Sequence, residues 1–256
     1  MRALIDLALP VTCAACGDPD DRVCRACLDE LERCLWFGGP RRVRPDPCPP
    51  RLPTVHASGR YEGPLAAVVA AYKDDGRRDC APLLGGLLAA ALDAAVASCP
   101  SAVAVMARDN GPLLVVPVPS SRASVRARGD SPLEVLAAHA VRGLADHEAV
   151  VADVLRPWRR VADQAGLGAR ERAVNLEHSM LARPHWVGAV EGAACILVDD
   201  VLTTGATLVE AARALRSGGA TTVVAATICA TQRRRSTPGR HILRRPADPQ
   251  RTPGKP

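Results

Sequence analysis

Two adjacent acids, Asp199 and Asp200, directly follow an apolar run. The segment 196–207 reads Ile-Leu-Val-Asp-Asp-Val-Leu-Thr-Thr-Gly-Ala-Thr. The run from Cys195 to Val198 has the composition of a buried strand in a parallel sheet. Asp199 and Asp200 would then lie at the carboxyl end of that strand, where open α/β sheets bind ligands. We expect the two carboxylates to face neighbouring sugar hydroxyls or a divalent cation.

The turn after the two acids has the features of an anion site. It consists of five small residues: Thr203, Thr204, Gly205, Ala206 and Thr207. A helical pattern follows at once from Leu208. The first turn of a helix has free N–H groups and a positive dipole end, and both favour a phosphate. We therefore predict that this turn binds a phosphate, while the acids face another part of the ligand.

Two other phosphate motifs are excluded by their spacing. The chain has only two lysines, Lys73 and Lys255, and neither follows the glycine pattern of a Walker-type loop. The segment 166–171 begins like a dinucleotide-binding fingerprint, but Glu171 stands where the third glycine is required.

The cysteines are concentrated near the start of the chain, where six of the ten lie between Cys13 and Cys48. Two C-x-x-C pairs are formed by Cys13, Cys16, Cys24 and Cys27. Each pair can present two thiolates to one tetrahedral ion, so this spacing predicts a structural Zn²⁺ site. The alternative is a ribbon that has lost its metal. Cys34 and Cys48 have no such partner, and we assign them to packing or chance.

Composition and patterning indicate an α/β protein. The hydrophobic fraction is 48%, whereas aromatic residues make up only 2%, which suits helices packed on a parallel sheet. Strands are predicted at 55–61, from 113, at 150–155, at 195–198 and at 221–230, and helices at 65–73, 81–96 and 132–144. This alternation predicts a parallel sheet flanked by helices.

The chain divides into three predicted parts. Residues 1–50 form a zinc-ribbon-like domain and linker, with a Pro- and Arg-rich connector at 38–53, and residues 51–233 form the main domain. Residues 234–256 form a disordered basic tail, which contributes to the net charge of +6. The apolar stretch 83–107 contains Asp93 and Pro100, so it predicts a core helix and no membrane span. No signal sequence is convincing, and we expect a cytoplasmic protein.

The segment Val198–Thr207 resembles the phosphoribosyl pyrophosphate (PRPP) motif of type I phosphoribosyltransferases. The resemblance implies that Asp199 and Asp200 bind the ribose hydroxyls and that the turn binds the 5-phosphate through backbone amides. Residues 1 to about 232 resemble one branch of that superfamily, the ComF-type (competence) proteins. Supporting features are the apolar segment 4–10 before the cysteines, Tyr61-Glu-Gly-Pro-Leu65 with Lys73 downstream, and Val116-Pro-Val-Pro119 followed by arginines.

The resemblance also implies an activity. It makes 119–122 the pyrophosphate-binding loop, with Ser121 and Arg122 assisted by Lys73, and it makes 156–175 a flexible lid. The expected reaction is Mg²⁺-dependent pentosyl transfer from PRPP to a base or an amine, with Asp199 and Asp200 as the catalytic acids that hold the ribose.

Two alternatives remain open. One is a DNA-uptake accessory that works with the competence machinery and keeps the PRPP pocket as a sensor or relic. Against single-stranded DNA binding, one Phe, two Tyr and three Trp are few for a stacking surface. The other is a regulator that binds PRPP without turnover.

Overall fold

The structure is a computed structural model that describes residues 11–106, 113–119, 131–144, 149–158 and 176–232. Several predictions lie outside these ranges. They concern Ser121 and Arg122, the tail 234–256, and all but the first three residues of the lid.

Strands alternate with helices along the described chain, as the patterning predicts. The strands are β1 (Arg41–Val43), β2 (Val55–Arg60), β3 (Leu113–Pro117), β4 (Ala149–Val151), β5 (Leu155–Pro157), β6 (Met180–Ala182), β7 (Ala194–Leu202) and β8 (Thr222–Ala230). The α-helices are α1 (Arg25–Cys34), α2 (Gly63–Asp74), α3 (Ala81–Ala97), α4 (Pro100–Met106), α5 (Pro132–Arg142), α6 (Val187–Val190) and α7 (Ala206–Ser217). Short 3₁₀ turns at Arg78–Cys80 and Pro184–Trp186 precede α3 and α6.

Six strands form one mostly parallel sheet in the order β1-β2-β8-β7-β3-β4. All neighbours from β2 to β4 are parallel, and only the edge pair β1–β2 is antiparallel. The buried strands β3, β7 and β8 are rich in Val, Leu, Ile and Ala, as expected when helices cover both faces of a parallel sheet. The predicted fold class, a parallel α/β sheet flanked by helices with a small cysteine-bearing segment before it, is confirmed.

Helix α3 packs on β2 and β8, and α5 packs beside it. The stretch Arg78–Ala97 is the one described helical segment long and apolar enough to cross a membrane, judged by length and composition, and half of it is buried inside the protein. Its residues Leu84, Leu88 and Leu92 are fully buried. This four-residue spacing presents one apolar stripe to the sheet, as in a core helix.

Two elements differ from the sequence-based expectation. The connector 38–53 contains β1, in which Arg41–Val43 extend the sheet by pairing with Val55–Ala57. The predicted strand 150–155 is divided into β4, which joins the main sheet, and β5, which pairs with β6 in a separate antiparallel ribbon. The division falls at Asp153, a polar residue that pairs with Arg183 at the surface.

Candidate functional site

The two acids lie on the last residues of β7. This strand is longer than the apolar run that predicted it, because it pairs with β8 as far as Leu202. Both acids are half-buried. The Asp200 N–H donates to Asp199 Oδ1 at 2.9 Å, and the Val201 N–H donates to Asp200 Oδ1 at 2.8 Å. These bonds fix one oxygen of each carboxylate at the carboxyl edge of the sheet.

Lys73 reaches this edge from the last turn of α2. Its Nζ lies 2.6 Å from Asp200 Oδ2, and the two side chains are 50% and 19% exposed. Burial by itself lowers the pKa of Lys73, but the attraction of Asp200 outweighs burial and raises it. The ammonium therefore stays charged. The pair lies at a partly exposed edge of the sheet and not in the interior, so a ligand can approach it.

Asp199 differs electrostatically from its neighbour. Burial, and then the negative charge of Asp200, raise the pKa of Asp199 to about 8, while Lys73 acts in the opposite direction. The raised pKa favours the protonated form of Asp199, which can donate a hydrogen bond, whereas the ion-paired Asp200 accepts. A sugar with two adjacent hydroxyls offers both a donor and an acceptor to such a pair.

The turn after β7 ends two residues earlier than predicted. Helix α7 begins at Ala206, so Ala206 and Thr207 belong to its first turn, while Thr203, Thr204 and Gly205 form the bend. Gly205 precedes the helix with a φ of +76°, a conformation that favours glycine. Thr204 Oγ1 accepts from the Ala206 N–H at 3.4 Å.

Three backbone N–H groups of this bend are free to bind a ligand. Within the part of the chain that the structure describes, the N–H groups of Thr203, Thr204 and Gly205 have no protein acceptor. They adjoin the positive end of the α7 dipole. Together these features make a cradle for an anion such as a phosphate.

Sequence reasoning missed two residues beside this site. Thr227 of β8 lies opposite Asp199 in the strand register, and it is fully buried with no described partner for its Oγ1. The sequence signal was a hydroxyl in the middle of an apolar strand. Leu52 lies behind Gly205, so that a Cβ on Gly205 would come within 2.8 Å of Leu52 Cδ1. No local pattern points to that contact.

The four cysteines of the two C-x-x-C pairs form one cluster. The Sγ atoms of Cys13, Cys16, Cys24 and Cys27 all lie within 4.8 Å of one another, and those of Cys16 and Cys24 are 3.6 Å apart. Tetrahedral zinc with Zn–S bonds of about 2.3 Å needs sulfur atoms about 3.8 Å apart. The cluster could therefore hold a metal ion such as zinc. Cys34 is buried at the end of α1, and Cys48 is exposed; neither joins the cluster.

The cluster also favours a thiolate. The Cys24 N–H donates to Cys13 Sγ at 3.3 Å. Burial raises the pKa of Cys13, but this bond and further backbone N–H groups outweigh it and lower the pKa to about 6. In contrast, burial and the neighbouring thiols raise the pKa of Cys27. A metal that binds all four sulfurs must therefore displace protons.

The chain is similar in part to proteins of known family. Residues 132–245, which include β7, the bend and α7, match the family model of the phosphoribosyl transferase domain. A segment of 41 residues is 54% identical to part of a ribose-phosphate pyrophosphokinase from Marinomonas sp. (strain MWYL1), and it covers 16% of this chain and 13% of that protein. A solved structure of the allosteric regulatory enzyme of purine biosynthesis aligns with a TM-score of 0.31 and 18% identity, over 59% of this chain and 26% of that chain.

None of these descriptions names DNA or competence, so that alternative and the ComF-type assignment stay predictions. The acids and the bend at the carboxyl end of β7 lie within the part of the chain that matches the family model. Residues 132–245 are therefore similar to a phosphoribosyl transferase domain, and a cluster of four cysteines precedes them.

Proposed function

We propose that this protein binds PRPP at the β7–α7 junction and transfers its phosphoribosyl group to a base or an amine. The observation that carries the proposal is the separation of charges at this junction. Asp199 and Asp200 lie on the strand, whereas the bend contains the N–H groups of Thr203, Thr204 and Gly205, which have no acceptor among the described residues. PRPP has the matching arrangement, with ribose hydroxyls beside a terminal 5-phosphate.

The two acids have complementary roles in this proposal. Asp200, whose Oδ2 lies 2.6 Å from Lys73 Nζ, accepts a hydrogen bond from one ribose hydroxyl. The protonated form of Asp199 is favoured, because burial and Asp200 raise its pKa to about 8. It donates to the other hydroxyl. The ribose ring is thereby fixed relative to the 5-phosphate in the bend.

Fixing the ribose ring in this way favours the transfer reaction. The bond from the anomeric carbon to pyrophosphate breaks, positive charge develops on the ribose ring, and the acceptor nitrogen supplies the new bond. A rigidly held ring keeps the anomeric carbon aligned with its acceptor, and the negative charge of Asp200 favours the cationic transition state. Bound Mg²⁺ supplies charge neutralisation to the departing pyrophosphate. From the family resemblance we assign the pyrophosphate contacts to Ser121 and Arg122, assisted by Lys73 from its position beside Asp200.

The curated relative supports the choice of ligand. The Marinomonas protein acts, by its name, on ribose phosphate. We carry recognition of a phosphorylated ribose to the present chain, and we leave the relative's kinase reaction with the relative, since the aligned segment covers 13% of its length.

Calorimetric titration with PRPP and Mg²⁺ tests the binding site. The double variant Asp199→Asn/Asp200→Asn should lose measurable PRPP binding while its circular dichroism spectrum stays that of the parent. The charge-matched control is Asp29→Asn/Asp153→Asn, which removes two partly exposed acids elsewhere. Equal PRPP affinity in the first variant and the parent would refute the assignment of the two acids.

Turnover needs a separate experiment. Purified protein with PRPP and Mg²⁺ should release pyrophosphate when the correct base or amine is supplied, and a panel of such acceptors identifies it. If PRPP binds and no acceptor causes release, the catalytic part of the proposal fails and the PRPP-responsive regulator takes its place.

A further inference from the structure

Residues 13–34, which contain the two C-x-x-C pairs and α1, form the cysteine-bearing segment. This segment contacts the start of α2, the helix that carries Lys73. Cys34, the last residue of α1, donates from Sγ to the Glu62 carbonyl at 3.4 Å, directly before α2 begins. A Cβ on Gly63 would lie 3.4 Å from the same sulfur. The Arg60 guanidinium donates to the Arg33 carbonyl, which ties the end of β2 to α1. The first turn of α2 therefore packs against α1.

The same segment also contacts the chain just beyond the end of α2. Arg77 donates to the Arg22 carbonyl at 3.3 Å, and Asp79 orients its guanidinium through bonds of 2.8 and 3.0 Å. The Arg22 carbonyl also accepts from the Ala14 N–H at 2.8 Å. Arg77 thus shares an acceptor with the first C-x-x-C loop, and this acceptor lies two residues before Cys24, where the second loop begins.

The two contacts bracket Lys73. Its long side chain is half exposed, and among the described residues Asp200 is its ion-pair partner. The direction in which α2 presents Lys73 therefore depends on how α1 and the two cysteine loops are held. Cys27 in the first turn of α1 and Leu31 and Cys34 further along share one buried stripe, so the metal cluster and the support of α2 lie on the same side of α1.

We propose that a metal ion bound by Cys13, Cys16, Cys24 and Cys27 positions Lys73 against Asp200, so that metal and PRPP bind with positive coupling. The inference rests on the proposed function. Arg77 and Cys34 act as positioning residues, because they transmit the geometry of the cluster to the two ends of α2. Without metal, the two cysteine loops lose the ion that joins them, and the support that they give to both ends of α2 weakens.

The coupling is measured as the effect of zinc on PRPP affinity. Calorimetry with PRPP and Mg²⁺ compares zinc-loaded full-length protein with protein stripped by a chelator selective for zinc over Mg²⁺. Removal of zinc should weaken PRPP binding about 5-fold or more, the lower end of typical coupling between two sites. In Lys73→Met the same removal should leave PRPP affinity unchanged, because the group that transmits the effect is absent. If zinc removal acted only by destabilising the fold, PRPP affinity would fall equally in the parent and in Lys73→Met.

Reciprocity supplies a second readout. PRPP must tighten zinc binding by the same factor by which zinc tightens PRPP binding. Competition with a chromophoric zinc chelator, with and without PRPP, measures this factor. The factor should fall to one in Lys73→Met and recover in Lys73→Arg, which restores the cation.

If the zinc-free protein unfolds, the coupling can still be tested in zinc-loaded protein with a variant of a positioning residue. Arg77→Gln should weaken PRPP binding in the parent and have no effect in the Lys73→Met background. The control is Arg25→Gln, which removes an exposed arginine paired with Asp29 on α1. Unchanged PRPP affinity in Arg77→Gln, or equal affinity with and without zinc, overturns the coupling. If PRPP fails to bind the zinc-loaded parent, the proposed function itself is wrong.

Discussion

Gly205 and Leu52 touch across a long stretch of sequence: a Cβ added to Gly205 would lie 2.8 Å from Leu52 Cδ1 and 3.5 Å from Pro49 Cγ. Leu52 belongs to the connection between β1 and β2, whereas Gly205 forms the end of the bend before α7. Leu52 and Pro49 thus pack against the side of Gly205 on which a Cβ would lie. The shape of the candidate phosphate cradle depends on this contact.

Substitution of Gly205 by alanine should damage both stability and PRPP binding. The new side chain needs a φ of +76° and meets Leu52, so the free energy of unfolding should fall by about 1–3 kcal/mol. PRPP affinity should fall as well, because the bend must shift. Urea denaturation and calorimetry measure the two effects.

A matched glycine separates strain from the mere addition of a methyl group. Gly86 lies on the exposed side of α3, and a Cβ there meets no atom within 4 Å. Gly86→Ala should raise the free energy of unfolding by about 0.5–1 kcal/mol. If Leu52→Ala fails to restore part of the stability lost in Gly205→Ala, the packing explanation is incorrect.

Replacement of Asp199 by asparagine should stabilise the ligand-free protein as the pH rises. The folded pKa of about 8 exceeds the ordinary value of 3.8, so the folded state holds a proton that the unfolded state has lost between these values. The parent therefore loses stability as the pH rises through this window, and the variant escapes that loss. The Tm advantage of Asp199→Asn should grow from pH 4 to pH 8 and reach at least about 2–4 °C.

The charge-matched control is Asp153→Asn, at a surface ion pair with Arg183. Thermal melts at several pH values measure the Tm of the parent, of Asp199→Asn and of the control. An advantage of Asp199→Asn that shrinks with rising pH would show that Asp199 is ionised in the folded protein.

A serine at Cys16 should abolish metal binding, whereas a serine at Cys48 should not. Both thiols are exposed, but only Cys16 belongs to the four-sulfur cluster. Three thiolates do not complete a tetrahedral structural site, so zinc content should fall from one per chain toward zero and Tm should drop. Elemental analysis and thermal melts provide the measurements. Full zinc content in Cys16→Ser would exclude Cys16 as a ligand.

Removal of Glu210 should detach the β5–β6 ribbon from α7. This buried carboxylate accepts from the Met180 N–H at 2.9 Å and from Arg213 at 2.8 Å. Burial raises the pKa of Glu210, but Arg213 and the backbone outweigh it and lower the pKa. Glu210→Ala should reduce the free energy of unfolding by about 2–3 kcal/mol, because Arg213 and the Met180 N–H lose their acceptor.

Urea denaturation measures this loss, with Glu32→Ala on the exposed side of α1 as the control. Hydrogen exchange at the Met180 amide should accelerate in Glu210→Ala. A loss below about 0.5 kcal/mol, the usual limit for surface substitutions, would contradict the anchoring role.

The candidate site was predictable from sequence where its parts are neighbours along the chain. Asp199, Asp200 and the bend follow one another directly, and a strand, a turn and a helix each leave a local pattern. The four cysteines are equally local, because two C-x-x-C pairs must each form a turn. Strand β1 escaped prediction for the opposite reason: its three residues, Arg41–Val43, have little strand character and become a strand by pairing with β2.

The sequence by itself determined the alternation of strands and helices, the acids at the end of a buried strand, and the spacing of the thiols, since these are periodic or contiguous features. Tertiary structure alone decided that Lys73 pairs with Asp200, that Leu52 backs Gly205, and that Thr227 lies beside Asp199. The physical reason is that these pairs join residues far apart in the chain. Their contacts depend on sheet order and register, which no local pattern specifies.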